Sequence, residues 1–306
     1  MNRRFKILLF CLAWVSSLNG FAQNVLNYNN NWIFGDSIHL KFSQFGSLVN
    51  LPLASSIPHS MTSSEGTSSI SDGFGNLLFY LATPNGSTTI SLYDRNFNPM
   101  PNGQNLLGHE SASQGSVIVK DPENCNQFFV FYTSNTGNGL RYSKVDMTLN
   151  AGNGDVITGQ KDLFLFDTRS ERVTIAAMLN SEFFWVITRQ QTPLTGAVDN
   201  LVSIPLLPGG TFGPPVISTF PAIGSNLALA GWMNFNSDFT QIADASFASK
   251  TVHTYNFNNT TGIFSNRINI FSSPNDQPYG CAYSTDGNII YVTYADNTIF
   301  VGDEIL

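Results

Sequence analysis

A chain of 306 residues with a formal net charge of −7 lacks the basic surface that nucleic acid or an anionic membrane would need as a partner. Charged residues make up only 11%, below the usual quarter, so Asn, Ser, Thr and Gly supply the polar surface. Such surfaces accompany exported β-rich proteins that bind glycans or other proteins.

The first element in chain order is an export signal. Arg3, Arg4 and Lys6 form a basic start, and "ILLFCLAWV" (7–15) is an apolar run too short to span a bilayer. Gly20 and Ala22 suit the small-residue positions before a peptidase cut, which divides the chain into a signal peptide (1–22) and a mature domain (23–306). Phe10 before Cys11 argues against a lipoprotein. The signal carries three of the fourteen Lys+Arg and none of the 21 Asp+Glu, so the mature chain stands at −10. Two cysteines remain, Cys125 and Cys281. They allow one bridge in an oxidising compartment, not a disulfide framework, and no CxxC pair exists for a thiolate zinc site.

Five segments then repeat one pattern: a strand, a short Gly/Asn/Asp turn, an aromatic-rich strand, a second polar turn and an alternating strand. They span 67–95, 115–147, 173–207, 231–258 and 279–303. Their middle strands start near Leu77, Phe128, Glu182, Phe239 and Ile289, at intervals of 51, 54, 57 and 50 residues. Those strands ("LLFYLA", "FFVFY", "FFWVI", "IIYVTY") are apolar on both sides, as in a sheet covered on both faces. Third strands such as "LRYSKVDM" alternate and are expected further out, half exposed. The turns "DGFGN", "STDGN" and "PNG" are hairpin chemistry, because Gly and Asn accept positive φ at little cost. A β-sandwich would alternate strictly without a long period. The pattern predicts an all-β chain, a β-propeller with about five recognisable blades.

Particular stretches carry a resemblance: "NNNWIFGDSIHLKFS" (29–43), "SSEGTSSISDGFGNLLFY" (63–80), "MPNGQNLLGHESASQGSVIV" (100–119), "LRYSKVDMTLNAGNGDVI" (140–157) and "YGCAYSTDGNIIYVT" (279–293). The chain resembles the N-terminal propeller region of large cell-surface proteins of gliding, Bacteroidota-type bacteria. Such proteins continue into PKD or Ig-like domains and a type IX secretion sorting domain. The resemblance implies a seven-bladed ring, incomplete here on its C-terminal side, with downstream domains of a longer parent protein. It also implies a secreted or outer-surface address, or a periplasmic one for a chain lacking the sorting domain. The implied role is adhesion or scaffolding, and no catalytic residues come with it.

One stretch, "LLGHESASQGSVIVKD" (106–121), looks like chemistry, since "HESAS" approaches an esterase nucleophile elbow. An elbow needs glycine on both sides of its serine and a helix after it. His109 and Ser113 hold the glycine places, and a strand follows. The segment reads as a loop feeding the innermost strand of the second repeat. The matching loop of the first repeat (59–70) is also Ser/Thr-rich and carries Glu65. Propellers bind ligands at the axis, so Glu65, His109, Glu110, Ser111, Ser113 and Gln114 are the candidate ligand-binding residues. No catalytic residue, metal ligand or cofactor is assigned. The four histidines, His39, His59, His109 and His253, do not pair at metal spacing, and the Asp-Gly turns lack the acidic run of a calcium loop. "NAGNG" lacks the Lys-Ser/Thr of a phosphate loop. Glu171 and Glu182 flank the inner strand of the third repeat and form a conceivable carboxylate pair.

Two functions fit. One is a non-catalytic exported module that binds an extracellular glycan or protein. The alternative is a propeller hydrolase or lyase acting on polysaccharide, with carboxylates at the axial mouth. Clustering of Glu65, Glu110 and Glu171 in a pocket, with one carboxylate desolvated, would favour the enzyme.

Overall fold

The structure is a computed structural model describing residues 29–34, 38–42, 48–50, 61, 65–134, 138–191, 198–222 and 230–295. The predicted signal peptide, His59 and the last third of the fifth repeat lie outside the described residues. Apart from one 3₁₀ turn at Asn150–Gly152, the regular structure of the described residues is β. No helix among them is long and apolar enough to cross a membrane.

The strands form consecutive antiparallel sheets. β1 (Asn31–Phe34), β2 (Ile38–Phe42) and β3 (Leu48–Asn50) make the first, and β4 (Ser68–Ser71), β5 (Leu77–Ala82) and β6 (Ser91–Asp94) the second. β7 (Ser116–Lys120), β8 (Gln127–Tyr132) and β9 (Leu140–Asp146) follow, with β10 (Asp155–Val156) and β11 (Leu163–Phe166) outside β9. The next sheet runs β12 (Val173–Ala177), β13 (Phe184–Gln191) and β14 (Val198–Leu207), with β15 (Thr211–Phe212) and β16 (Val216–Pro221) outside β14. β17 (Gly231–Phe235), β18 (Gln241–Ser246), β19 (Thr251–Asn258) and β20 (Ile263–Ser272) make a four-stranded sheet, and β21 (Gln277–Tyr283) pairs β22 (Ile290–Ala295). The sheets containing β4, β7, β12 and β17 are a run of four propeller blades, flanked by the smaller sheets at either end.

The middle strands decide this arrangement. In β8, Phe128, Val130 and Tyr132 pack towards the blade before, with Phe79 and Leu81, while Phe129 and Phe131 pack towards the blade after, with Phe184 and Val186. In β13, Phe184 and Val186 share that core, and Trp185 and Ile187 enter the next with Ile242 and Tyr255. Ala243 and Ala245 of β18 pass to a further core with Cys281 and Val292. Successive residues on a strand point to opposite faces, so a strand apolar throughout serves two cores in series. A two-layer sandwich has one core and cannot do this. Each fully buried large side chain contributes about 1.5–3 kcal/mol.

The first two strands of each repeat are joined as the turn residues predict. Asp72 Oδ1 accepts the amides of Phe74 and Asn76, at 2.9 Å each, and Gly75 adopts φ +80°. Asp121, Asp238 and Asp286 accept turn amides at the equivalent hairpins. Of the third strands, β9 keeps the expected half-buried pattern, whereas others are buried more deeply. β6 is buried at all four residues and β19 at its first five. The reason is a further outer layer: β10 and β11, β15 and β16, and β20 cover the third strands of three blades. In the first blade the segment after β6 does so, with Met100 N donating to Leu92 O at 2.9 Å and Leu106 N to Ile90 O at 2.9 Å. Cys125 is an exposed free thiol beside β8, and Cys281 is a buried free thiol in β21, so the two do not bridge.

The blades of β12 and β17 are also joined by charge. Arg172, just before β12, is fully buried and donates to Asp244 of β18 and to Ala245 O at 3.1 Å. Arg189 of β13 donates to the other Asp244 oxygen at 2.6 Å and forks onto Asp199 of β14. Two cations and two carboxylates thus leave water as a neutral set. Breaking a buried pair leaves an uncompensated charge. Asp244→Asn is expected to lower the free energy of unfolding by about 3–5 kcal/mol in urea titrations, whereas Ala248→Ser, at an exposed turn position, stays within about 0.5 kcal/mol.

Candidate functional site

The strands nearest the axis, β4, β7, β12, β17 and β21, lie side by side in sequence order. The loops that feed them meet at one end. Glu65 N donates to Glu110 O at 3.2 Å and Gly66 N to Ala112 O at 3.1 Å, which joins the first feeding loop to the second. A Cβ on Gly66 would lie 2.5 Å from that Ala112 oxygen, so the approach requires glycine. The second loop meets the third through a parallel bridge, with Gln114 N donating to Glu171 O at 3.2 Å and Val173 N to Gln114 O at 3.0 Å. Gln114 also reaches β17: its Nε2 donates to Met233 O at 2.8 Å, and its Oε1 accepts from Met233 N at 2.9 Å. Ser113 Oγ accepts from Gly231 N at 3.0 Å.

A cavity of about 670 Å³ opens where these loops converge. Four of the six residues singled out from sequence line it: Glu65, Ser111, Ser113 and Gln114. Ser113 and Gln114 are buried and held by the bonds above, so they act first as ties between blades. The other two, His109 and Glu110, do not line the cavity. His109 Nδ1 accepts from Ser111 N at 3.1 Å, and Glu110 uses its backbone to join Thr88 and Glu65. Both shape the turn that presents Ser111.

The cavity gathers groups that sequence did not place together. Glu171 comes from the loop before β12, Tyr279 from β21, Trp232 from β17, and Phe34 from the end of β1. The conceivable partner Glu182 is exposed in the turn after β12, at the opposite end of that five-residue strand and roughly 17 Å away along it. Glu65 is the partner instead. Tyr279 Oη donates to Glu65 Oε1, and Phe247 meets the Tyr279 ring edge-on with centroids 5.7 Å apart. Glu65 Oε2 is buried and has no hydrogen-bond partner among the described residues.

Glu171 is 8% exposed. Burial pushes its carboxyl above the usual range, and the nearby Glu65 charge adds to the rise. The amide of Ser113, donating to Oε2 at 3.2 Å, opposes this without cancelling it. Burial likewise raises the Tyr279 phenol, with Glu65 reinforcing the effect, so Tyr279 is a donor throughout the physiological range. No group of three or more His, Cys, Asp or Glu able to hold a metal occurs among the described residues. The arrangement can protonate a leaving group from Glu171 and accept a proton at Glu65.

No protein-family model and no curated sequence matches this chain. Among solved structures it is similar to a hypothetical selenium-binding protein from Sulfolobus tokodaii, with TM-score 0.50 and 10% identity over 85% of this chain and 65% of that one. A periplasmic gluconolactonase from Pseudomonas aeruginosa gives TM-score 0.41 and 14% identity over 72% of this chain and 64% of that one. A Bacteroides fragilis protein provisionally named 6-phosphogluconolactonase gives TM-score 0.46 and 9% identity over 90% and 78%. The chain thus spans a little under two thirds of the length of the first two. At these identities the likeness speaks to fold.

Two outcomes test the geometry. Gln114→Ala leaves the Met233 amide and carbonyl unpaired at the axis, and is expected to cost about 2–4 kcal/mol in chemical denaturation. A carboxyl whose folded pKa is raised stabilises the fold fully below its unfolded value, near 4.5, and loses that contribution as pH rises through the folded value. Glu171→Gln is therefore expected to gain stability relative to the parent as pH increases across that window, read as the difference in unfolding midpoint between the two proteins.

Proposed function

We propose that the chain is a propeller hydrolase whose axial cavity cleaves an uncharged, polyhydroxylated substrate of glycoside type. The observation that carries this reading is the pairing of desolvated Glu171 with Glu65 in one cavity. Perturbed carboxyls gathered in a cleft mark functional sites more often than structural ones. Two of the three carboxylates considered from sequence cluster there, which favours catalysis over the non-catalytic adhesive role.

In this reading Glu171 holds a proton and delivers it to the oxygen of the departing group as the glycosidic C–O bond breaks. Water adds to the sugar carbon, and its proton passes to Glu65. Tyr279 holds the Glu65 carboxyl through Oε1 and so fixes it in the cavity wall. Solvent exchange then returns both carboxyls to their starting states. Thr67, Ser111 and Thr293 line the same wall and can hold substrate hydroxyls.

The proposed setting is extracytoplasmic, supported by the N-terminal segment of the sequence. The resemblance to surface proteins of gliding bacteria extends this proposal to a secreted or cell-surface address and to a seven-bladed ring.

A panel of 4-nitrophenyl glycosides tests the activity. The parent is expected to hydrolyse at least one, with Glu171→Gln and Glu65→Gln each lowering kcat about 10²–10⁴-fold while the fold persists. Activity should decline as pH rises through the elevated Glu171 value, because the proton donor is lost, and aryl leaving groups of low basicity should soften the Glu171→Gln defect. Glycan binding without turnover would favour the adhesive role instead, and full activity of Glu171→Gln on substrates with a basic leaving group would remove Glu171 from the chemistry.

A further inference from the structure

The axial mouth is only part of the hollow. A second chamber of about 400 Å³ lies deeper along the axis, between β1 and the inner strands β4, β7, β12 and β17. The two chambers share five wall residues: Phe34, Thr67, Gln114, Ser116 and Trp232. The mouth is walled by the loops before the inner strands, whereas the second chamber is walled by the strands themselves, from Ser68 to Thr174.

The wall of this chamber divides by chemistry. One part is aromatic, with Trp32, Phe34 and Trp232 exposed by 49%, 40% and 37%. The other part carries the hydroxyls of Thr67, Ser68, Ser69, Ser116 and Thr174. Thr67 donates to Ile33 O, Ser69 to Asn31 O, and Ser116 to Ser68 at 2.9 Å. These three hydroxyls thus give their protons to the fold and keep oxygen lone pairs as acceptors. No Lys, Arg or His stands in either wall among the described residues. The ionisable groups there are the carboxyls of Glu65 and Glu171, both in the mouth.

We propose that the second chamber binds further units of the same substrate, which is an uncharged oligosaccharide lying along the axis. This rests on the hydrolase reading of the mouth. A pyranose ring has an apolar face of C–H groups and a rim of hydroxyls. The face lies on an aromatic ring, and the rim needs acceptors placed beside it. The chamber presents these two surfaces together. Each chamber separately falls in the range of roughly 300–1,000 Å³ that small-ligand sites occupy, so the connected pair holds more than one sugar ring. An anionic sugar chain would enter a wall that has two carboxylates and no cation to meet it, at an electrostatic cost. A single sugar or sugar lactone in the mouth would leave the Trp32 surface in water.

Isothermal titration of the Glu171→Gln chain separates the outcomes. The probes are glucose, cellobiose and cellotetraose, the matching xylose and mannose series, and galacturonate with tetragalacturonate. In at least one neutral series, affinity is expected to rise about tenfold or more from the single sugar to the tetrasaccharide. Trp32→Ala is expected to erase that rise and Trp32→Phe, which keeps a ring beside Phe42, to restore part of it, with unfolding midpoints measured to show that both variants are folded. Affinity flat with length in every neutral series, length dependence indifferent to Trp32, or tightest binding of tetragalacturonate would overturn the proposal. If 4-nitrophenyl monoglycosides are cleaved in a Glu171-dependent way while affinity is flat, the extended site fails and the hydrolase stands. If length dependence appears without turnover of any substrate, the oligosaccharide site stands and the catalytic reading fails.

Discussion

The ion set of Arg172, Arg189, Asp199 and Asp244 is the constraint on which the site depends. Four charges lie within the seam between two blades, nearly without solvent. Each loses its hydration, and only mutual pairing offsets the loss. Hydrophobic cores tolerate small slips between sheets. A forked Arg189 held between Asp199 and Asp244 does not, because its donors have fixed directions. The seam therefore fixes the angle between the blades of β12 and β17. Those blades supply Glu171 and Trp232, so the width of the cavity is set by the same contacts.

The hollow itself follows from the residues that sit nearest the axis. Inner strands converge there, and large side chains pointing inward would collide. The sequence places "TSSIS", "GSV" and "RVT" at the starts of three inner strands. Hydroxyls near the axis bond to one another or to a neighbouring backbone, as Ser116 does with Ser68 and Thr188 with Arg172 O at 2.9 Å. Apolar mass is pushed outward into the seams between blades, where both faces of each middle strand are used. One pattern thus yields a dry interior between blades and a wet, polar hollow along the axis.

Much of this fold was legible in the sequence because its strongest signal is local. The middle strands fall at Leu77, Gln127, Phe184, Gln241 and Ile290, close to the expected starts, since polar Gly, Asn, Asp or Ser turns precede each and four of the five are apolar runs. The outer strands were not legible. Within β20, Ile263, Ile268 and Ile270 are exposed and Phe264 is buried, so no period-two pattern declares the strand. For the site, Glu65 and the Ser111–Gln114 loop could be named because two repeats carried similar loops. Tyr279 could not. Its partner Glu65 lies 214 residues away, and nothing local distinguishes it from the core aromatics around it. Glu171 was named in sequence both with Glu182 and with Glu65 and Glu110; strand length separates it from Glu182, and Glu65 joins it in the cavity while Glu110 does not.

The adjacency of Glu171 and Arg172 connects the fold to the chemistry. A guanidinium beside a carboxyl ordinarily holds it ionised. Here the two side chains go opposite ways, Glu171 into the cavity and Arg172 into the seam, and Arg172 donates to Asp244. Its charge is met there, so its pull on Glu171 is the weakest of the influences acting on that carboxyl, while burial is the strongest. Burial can thus raise the Glu171 carboxyl next to an arginine because that arginine is committed elsewhere. The interaction that locks two blades together is also the one that leaves burial to dominate the Glu171 carboxyl at the mouth between them.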